Sequence, residues 1–154
     1  MPAPRIAWQA ERTRAGAGRL RVILSRLQAR RRDLAAFAEL TAEQYLADAR
    51  GVYASKYLLL TGIEDALAVA NHVIASEGYR APADYADAFR SLHQAGVLGA
   101  DLAERLEGMA RFRNLLVHQY DDVDDRRVHG IMRQDLEDLG RFAAAVLQAF
   151  PDLA

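Results

Sequence analysis

Apolar residues recur at three- and four-residue steps along nearly all of this 154-residue chain, and that periodicity limits the possible folds more than any other feature. From Arg19, the positions Leu20, Ile23, Leu24, Leu27, Leu34, Phe37 and Leu40 form one stripe, the pattern of an amphipathic helix. Thr41-Ala42-Glu43-Gln44 has the form of a capping box and opens the longest segment, Ala42 to about Ser76. There Tyr45, Leu46, Ala49, Val52, Tyr53, Tyr57, Leu60, Ile63, Leu67, Ala70 and Ile74 keep helical spacing, with Gly51 and Gly62 marking a bend or a close helix contact. Glu77-Gly78 ends this helix, and Ala81-Pro82 is expected to start the next, whose stripe is Tyr85, Phe89 and Leu92. A further helix runs from Asp101 to about His118, with Leu102, Leu106, Met109, Phe112, Leu115 and Leu116 facing inward. The aspartate-rich turn 121–125 then offers N-caps for a last helix built on Val128, Ile131, Leu136, Leu139, Phe142, Val146 and Leu147, closed by Pro151.

No segment alternates like a strand, and the connections are short. The expected fold is therefore all-α, an up-and-down antiparallel helical bundle with one long helix. Pro2, Pro4, Gly16 and Gly18 mark residues 1–18 as a flexible basic lead, leaving 19–154 as a single helical domain.

Composition removes several classes of function. Without cysteine there are no disulfides or thiolate metal sites, which fits a cytoplasmic location. No uninterrupted apolar run approaches the roughly 20 residues of a bilayer span, and no apolar stretch follows the N-terminal arginines as in a secretory signal. The net charge of −1 conceals an asymmetry: residues 1–32 hold nine arginines against Glu11 alone. Such an arm either attracts phosphate backbones or docks on an acidic body, its own or a partner's.

Chemistry concentrates in Met109-Ala110-Arg111-Phe112-Arg113-Asn114-Leu115-Leu116-Val117-His118-Gln119-Tyr120. Arg113 and Tyr120 are seven apart and share a helical face. His118, five beyond Arg113, falls about 140° away on an ideal helix, so the three converge only if the helix unwinds near His118 or a second chain completes the site. The residue types suit RNA cleavage without a metal. A neutral imidazole takes the proton from a ribose 2′-OH, a guanidinium holds the phosphate oxygens as charge develops, and Asn114 and Tyr120 hold phosphate or sugar. A histidine at a helix end is more often a cap, however, and Arg113 is equally placed to pair with Asp121 or Asp122.

Arg113-x4-His118-x-Tyr120 resembles the R-x4-H-x-Y signature of HEPN proteins, specifically the HepT branch of HepT/MntA toxin–antitoxin modules. The resemblance extends through Ile63-Glu64-Asp65-Ala66, Asn71-His72-Val73-Ile74, Ala83 to Phe89, Leu92 to Leu98 and Met109 to Tyr120, covering about residues 20–148. The basic lead departs from the compact family form, as does Lys56-Tyr57, where an acidic-basic pair is common. The resemblance implies a HEPN-type bundle that forms homodimers with the two motifs facing across a cleft. It further implies a type VII toxin that is a metal-independent endoribonuclease without a cofactor, with Arg113 and His118 catalytic and Asn114 and Tyr120 supporting or binding substrate. A cognate MntA nucleotidyltransferase would neutralise it by transferring AMP to Tyr120. The alternative is a non-catalytic HEPN binding module that holds a nucleotide or a nucleotidyltransferase.

The remaining candidates are weaker. His72 and His93 lack partners at metal-ligand spacing, and His129 is expected to be solvated or close to Asp125. Arg30-Arg31-Arg32 reads as a solvated helix surface or an RNA guide, and the six tyrosines as core and interface filler rather than base-stacking platforms.

Overall fold

The computed structural model describes residues 7–153, with side chains from Gly16 onward. The helices among these residues are α1 (Ala7–Ala38), α2 (Ala42–Ala47), α3 (Ala49–Glu77), α4 (Tyr85–Gln94), α5 (Ala100–His118), α6 (Asp125–Gln134) and α7 (Leu136–Ala149). A 3-10 turn over Pro151–Leu153 follows, and no strand is present in the described part.

The ion pairs give the helix directions. Arg26 and Arg30 of α1 meet Asp65 of α3, while Phe37 lies against Gly51, so α1 and α3 run antiparallel. Arg113 of α5 meets Glu64, and Tyr120 just beyond α5 meets Lys56, so α3 and α5 also oppose each other. Arg105 and Arg141 do the same for α5 and α7. The result is the up-and-down bundle that the periodicity implies, with α3 at its centre, flanked by α1, α4, α5 and α7. Leu27, Leu34, Leu59, Ile63, Leu92, Leu106, Leu116, Leu139 and Phe142 fill the core at 1% exposure or less. Phe89 and Phe142 meet edge to face there.

Five details differ from the sequence reading. The expected last helix is two, α6 and α7, which meet at Asp135. The helix α1 begins by Ala7, so the part of the expected flexible lead from residue 7 to residue 18 is helical; residues 1–6 lie outside the described part. The long helix is two: the capping box at Thr41 and Gln44 starts α2, and Asp48, in extended conformation, separates it from α3. That break resets the helical phase. The buried stripe of α3 consequently runs through Val52, Ser55, Lys56, Leu59, Ile63, Ala66 and Ala70, and leaves Tyr53 and Tyr57 more than half exposed. Finally, α4 starts at Tyr85, capped by Asp84, which accepts from the Asp87 amide at 2.8 Å, rather than at Pro82.

Gly51 marks a close contact, as one of its two expected roles: a Cβ there would lie 2.7 Å from Asp48 Oδ2 and 3.2 Å from Phe37. Gly78, at φ 69°, takes the left-handed conformation that ends α3. By length and composition α3 is apolar enough to cross a membrane, but most of that stretch is buried inside the fold.

Candidate active site: a groove between α3 and α5

The groove has α3 as one wall. Tyr53, Tyr57, Leu60 and Glu64 lie on the side of α3 turned about 100° from its buried stripe, and this line faces the end of α5. Arg113 Nη2 donates to Glu64 Oε1 at 2.9 Å, and its Nη1 donates to Asn114 Oδ1 at 3.2 Å. The guanidinium also lies over the Tyr85 ring, 4.8 Å from its centroid, a cation–π contact. Its Nε is buried with no acceptor among the described residues. Arg113 is thus oriented from three sides, at 17% side-chain exposure, while Glu64 at 42% remains open to water. Neither Asp121 nor Asp122 is its partner.

Helix α5 ends at His118, and Gln119 caps it through its amide to the Leu115 carbonyl at 2.8 Å. Tyr120 therefore lies in the turn beyond. Its ring stacks with that of Tyr53, centroids 6.4 Å apart and planes 9° from parallel. On it rests the Lys56 ammonium, 4.8 Å from the centroid. Lys56 Nζ also donates to the Tyr120 carbonyl at 3.3 Å and pairs with Asp125 at 2.6 Å. Burial pushes the Tyr120 phenol above the usual tyrosine range; Lys56 pulls it down, and Tyr53, Asp125 and Asp121 add to the rise.

Arg113 with Asn114, and Tyr120, lie against the same side of α3, at Glu64 and at Tyr53 respectively, and His118 is left at the exposed helix end. No hydrogen bond joins His118 to Arg113 or Tyr120 among the described residues. The unwinding that the aspartate-rich turn allows begins only at Gln119. It relocates Tyr120 and leaves Arg113 and His118 on the same regular helix, about 140° apart.

Tyr53, Lys56, Glu64 and Tyr85 are the groove residues to which sequence reasoning gave no role. One signal was present for Lys56: it is the only lysine beside nineteen arginines. For Glu64 the signal was its position, eleven residues after Tyr53 and on the same face of α3.

Other expectations changed as well. His129 is buried rather than solvated, stacked on Tyr45 at 4.8 Å with its Nε2 at 3.2 Å from the Phe37 carbonyl. The Tyr45 hydroxyl shares a 2.7 Å hydrogen bond with Ser55. His93 Nδ1 meets the Leu98 carbonyl at 2.8 Å, and His72 lies against Gly16 of α1. Among the described residues no three His, Asp or Glu side chains cluster as metal ligands would. Four α1 arginines dock on the body of their own chain: Arg26 and Arg30 on Asp65, Arg31 on Glu137, and Arg21 on the Asp152 carbonyl.

Residues 27–146 match the family pattern described as ribonuclease HepT-like. The chain belongs to the HepT-like ribonuclease family. A protein of Archaeoglobus fulgidus named "Putative RNase" is 36% identical over 72 residues, 47% of this chain and 54% of that protein. The chain thus spans about half the length of this curated relative. Several solved structures superpose closely on this fold. A mutant MntA–HpeT toxin–antitoxin structure gives a TM-score of 0.76 at 19% identity, covering 84% of this chain and 98% of that one. The tri-AMPylated HEPN toxin of Shewanella oneidensis, solved in complex with its MNT antitoxin, also gives 0.76 at 19%, covering 84% and 96%. Bacillus subtilis YutE, described as a cytosolic protein of unknown function, gives 0.75 at 21% over 86% and 88%. At these identities the likeness establishes the HEPN-type fold, and the HepT-like assignment rests on the family pattern.

Proposed function

We propose that this chain is a cytoplasmic toxin that cleaves RNA as a homodimer, without a metal or cofactor, and that a cognate MntA-type nucleotidyltransferase neutralises it by transferring AMP to Tyr120. The observation that carries this reading is Arg113, oriented by Glu64, Asn114 and Tyr85 in the groove that also holds Tyr120.

In the proposed reaction His118 takes the proton of a ribose 2′-OH, whose oxygen attacks the adjacent phosphorus. The bond to the 5′-oxygen breaks, and that oxygen leaves with a proton from solvent. One strand then ends in a 2′,3′-cyclic phosphate and the other in a 5′-OH. Arg113 exchanges the carboxylate of Glu64 for the phosphate oxygens, a planar fork suited to either anion. Asn114 holds the guanidinium, and Tyr120 contacts the substrate. Because His118 faces away from Arg113 of its own chain, the site closes when a second copy brings its imidazole to the groove. An adenylate on Tyr120 would fill the groove and add negative charge where the RNA phosphate must sit.

The test is cleavage of an RNA oligonucleotide and its 2′-deoxy analogue by protein purified free of antitoxin. The RNA should yield a cyclic phosphate and the deoxy strand stay intact, while Arg113→Ala and His118→Ala each lose at least about 100-fold in rate with fold and dimer intact. Cleavage of the deoxy strand, or no cleavage of any cellular RNA, refutes the proposal. A non-catalytic module holding a nucleotide or the transferase is the second reading, favoured by the pairing of Arg113 with Glu64 of its own chain. Expression without a cognate transferase separates the two, since only the nuclease arrests growth.

A further inference from the structure

Lys56 occupies an uncommon place for a lysine: its side chain is 4% exposed. Asp125 Oδ1 lies 2.6 Å away, the Tyr120 carbonyl 3.3 Å, and the Tyr120 ring centroid 4.8 Å. An ammonium is compact and its three donors rotate, so one charge reaches a carboxylate, a carbonyl and a ring face together. It is the single lysine beside nineteen arginines. A lysine that merely tied α3 to α6 would need Asp125 alone. The ring and the carbonyl are additional, and both belong to one residue.

The Tyr53 ring also stacks with that of Tyr120. The Tyr120 hydroxyl is left with one long hydrogen bond, 3.5 Å to the Tyr53 carbonyl, so little ties it down. We infer that Lys56 is the positioning residue of Tyr120: beside Tyr53, it holds the ring and the main chain of Tyr120 in place, and it favours the Tyr120 hydroxyl as the acceptor of a nucleotidyl group. This rests on the proposed neutralisation by AMP transfer. In that step the phenol gives up its proton and its oxygen bonds to the α-phosphorus of ATP. The bond from that phosphorus to the bridging oxygen breaks, and pyrophosphate leaves with the electron pair. The groups facing the phenol are Tyr53 and Lys56 on α3, Asp121 in the turn and Asp125 on α6. Lys56 alone among them favours the anion that attacks.

The test uses the full chain with Lys56→Met and with the charge-keeping Lys56→Arg. Tyr120→Phe identifies the Tyr120 ring signals by NMR, and a pH titration of those signals reads the phenol directly. In parallel, intact mass follows AMP addition by the MntA-type transferase with ATP. Lys56→Met should move the Tyr120 midpoint upward and slow AMP addition at neutral pH about tenfold, whereas Lys56→Arg should hold the midpoint near that of the parent. An unmoved midpoint in Lys56→Met overturns the inference. So does an equal shift in Lys56→Arg, since shape rather than charge would then be responsible. If Lys56→Met does not fold, Lys56→Met with Asp125→Asn is compared with Asp125→Asn alone, and its midpoint should lie above that of the single variant, since both then lack the Asp125 charge. Failure of the parent to accept AMP would refute the proposed neutralisation, while the titration, which needs no partner, still decides the role of Lys56.

Discussion

Replacing Asp65 by alanine asks how firmly the arginine-rich first helix is held by its own body. The carboxylate is 3% exposed and accepts Arg26 Nε at 3.0 Å, with Arg30 as its second partner. Removing one side of a buried ion pair costs about 3–5 kcal/mol, because the other charge is stranded. Here the stranded charges differ in their access to water. Arg26, at 49% side-chain exposure, rehydrates and loses no more than a surface pair is worth, at most about 1 kcal/mol. Arg30, at 21%, stays largely covered and keeps most of the penalty. The net cost is about 2–3 kcal/mol, which for a chain of this size lowers the melting temperature by about 4–12 °C. Calorimetry on Asp65→Ala, Arg30→Ala and the double variant reads it, with a coupling above about 1 kcal/mol expected between the two sites. A shift under about 2 °C, or strictly additive losses, would refute the reasoning and return these arginines to the status of a solvated face.

Two further outcomes follow from local geometry. Gly78 has a positive φ and open space around it, so Gly78→Ala carries a purely conformational penalty of about 1 kcal/mol, visible as a lower urea midpoint with an unchanged slope. Asp87 accepts both arms of Arg80 at 2.7 and 2.9 Å and the Ala83 amide at 2.8 Å, and these hold its carboxyl well below the usual range. A depressed folded-state value stabilises the fold above the ordinary aspartate titration near about pH 4 and is lost as pH falls below it. Urea unfolding between pH 6 and pH 3 should therefore weaken less steeply in Asp87→Asn than in the parent, and superimposable acid limbs would contradict the assignment.

The bundle was legible because helix-forming sequences reveal their inward faces by spacing. The stripes of α5 and α7 and the core part of α1 were read nearly residue for residue, while Phe37 and Leu40 at the end of α1 are only partly buried. The reading failed where continuity was assumed. Treating 42–76 as one helix carried the phase of Tyr45 through Asp48, placing Tyr53 and Tyr57 inside and overlooking Leu59. A single extended residue suffices for this error, and nothing in the local composition announces it, since Asp48 sits among good helix formers. The cluster of Arg113, Asn114 and Tyr120 was visible from spacing within one element. Glu64, Lys56 and Tyr85 were not, because their roles arise from packing between helices brought together only by the fold. His129 was misjudged for the same reason: its partners lie on α1 and α2, far away in sequence.

The common spine of the groove has a mechanical consequence. Glu64 and Tyr53 sit on one uninterrupted helix, about 16 Å apart along its axis, so the anchors of Arg113 and Tyr120 behave as two marks on a ruler. Stretching or shortening the distance between them would break main-chain hydrogen bonds of α3, whereas the turn after His118 is free of that constraint. Variation in what this groove accepts should therefore reside in residues 119–124, with the gauge length of α3 held constant.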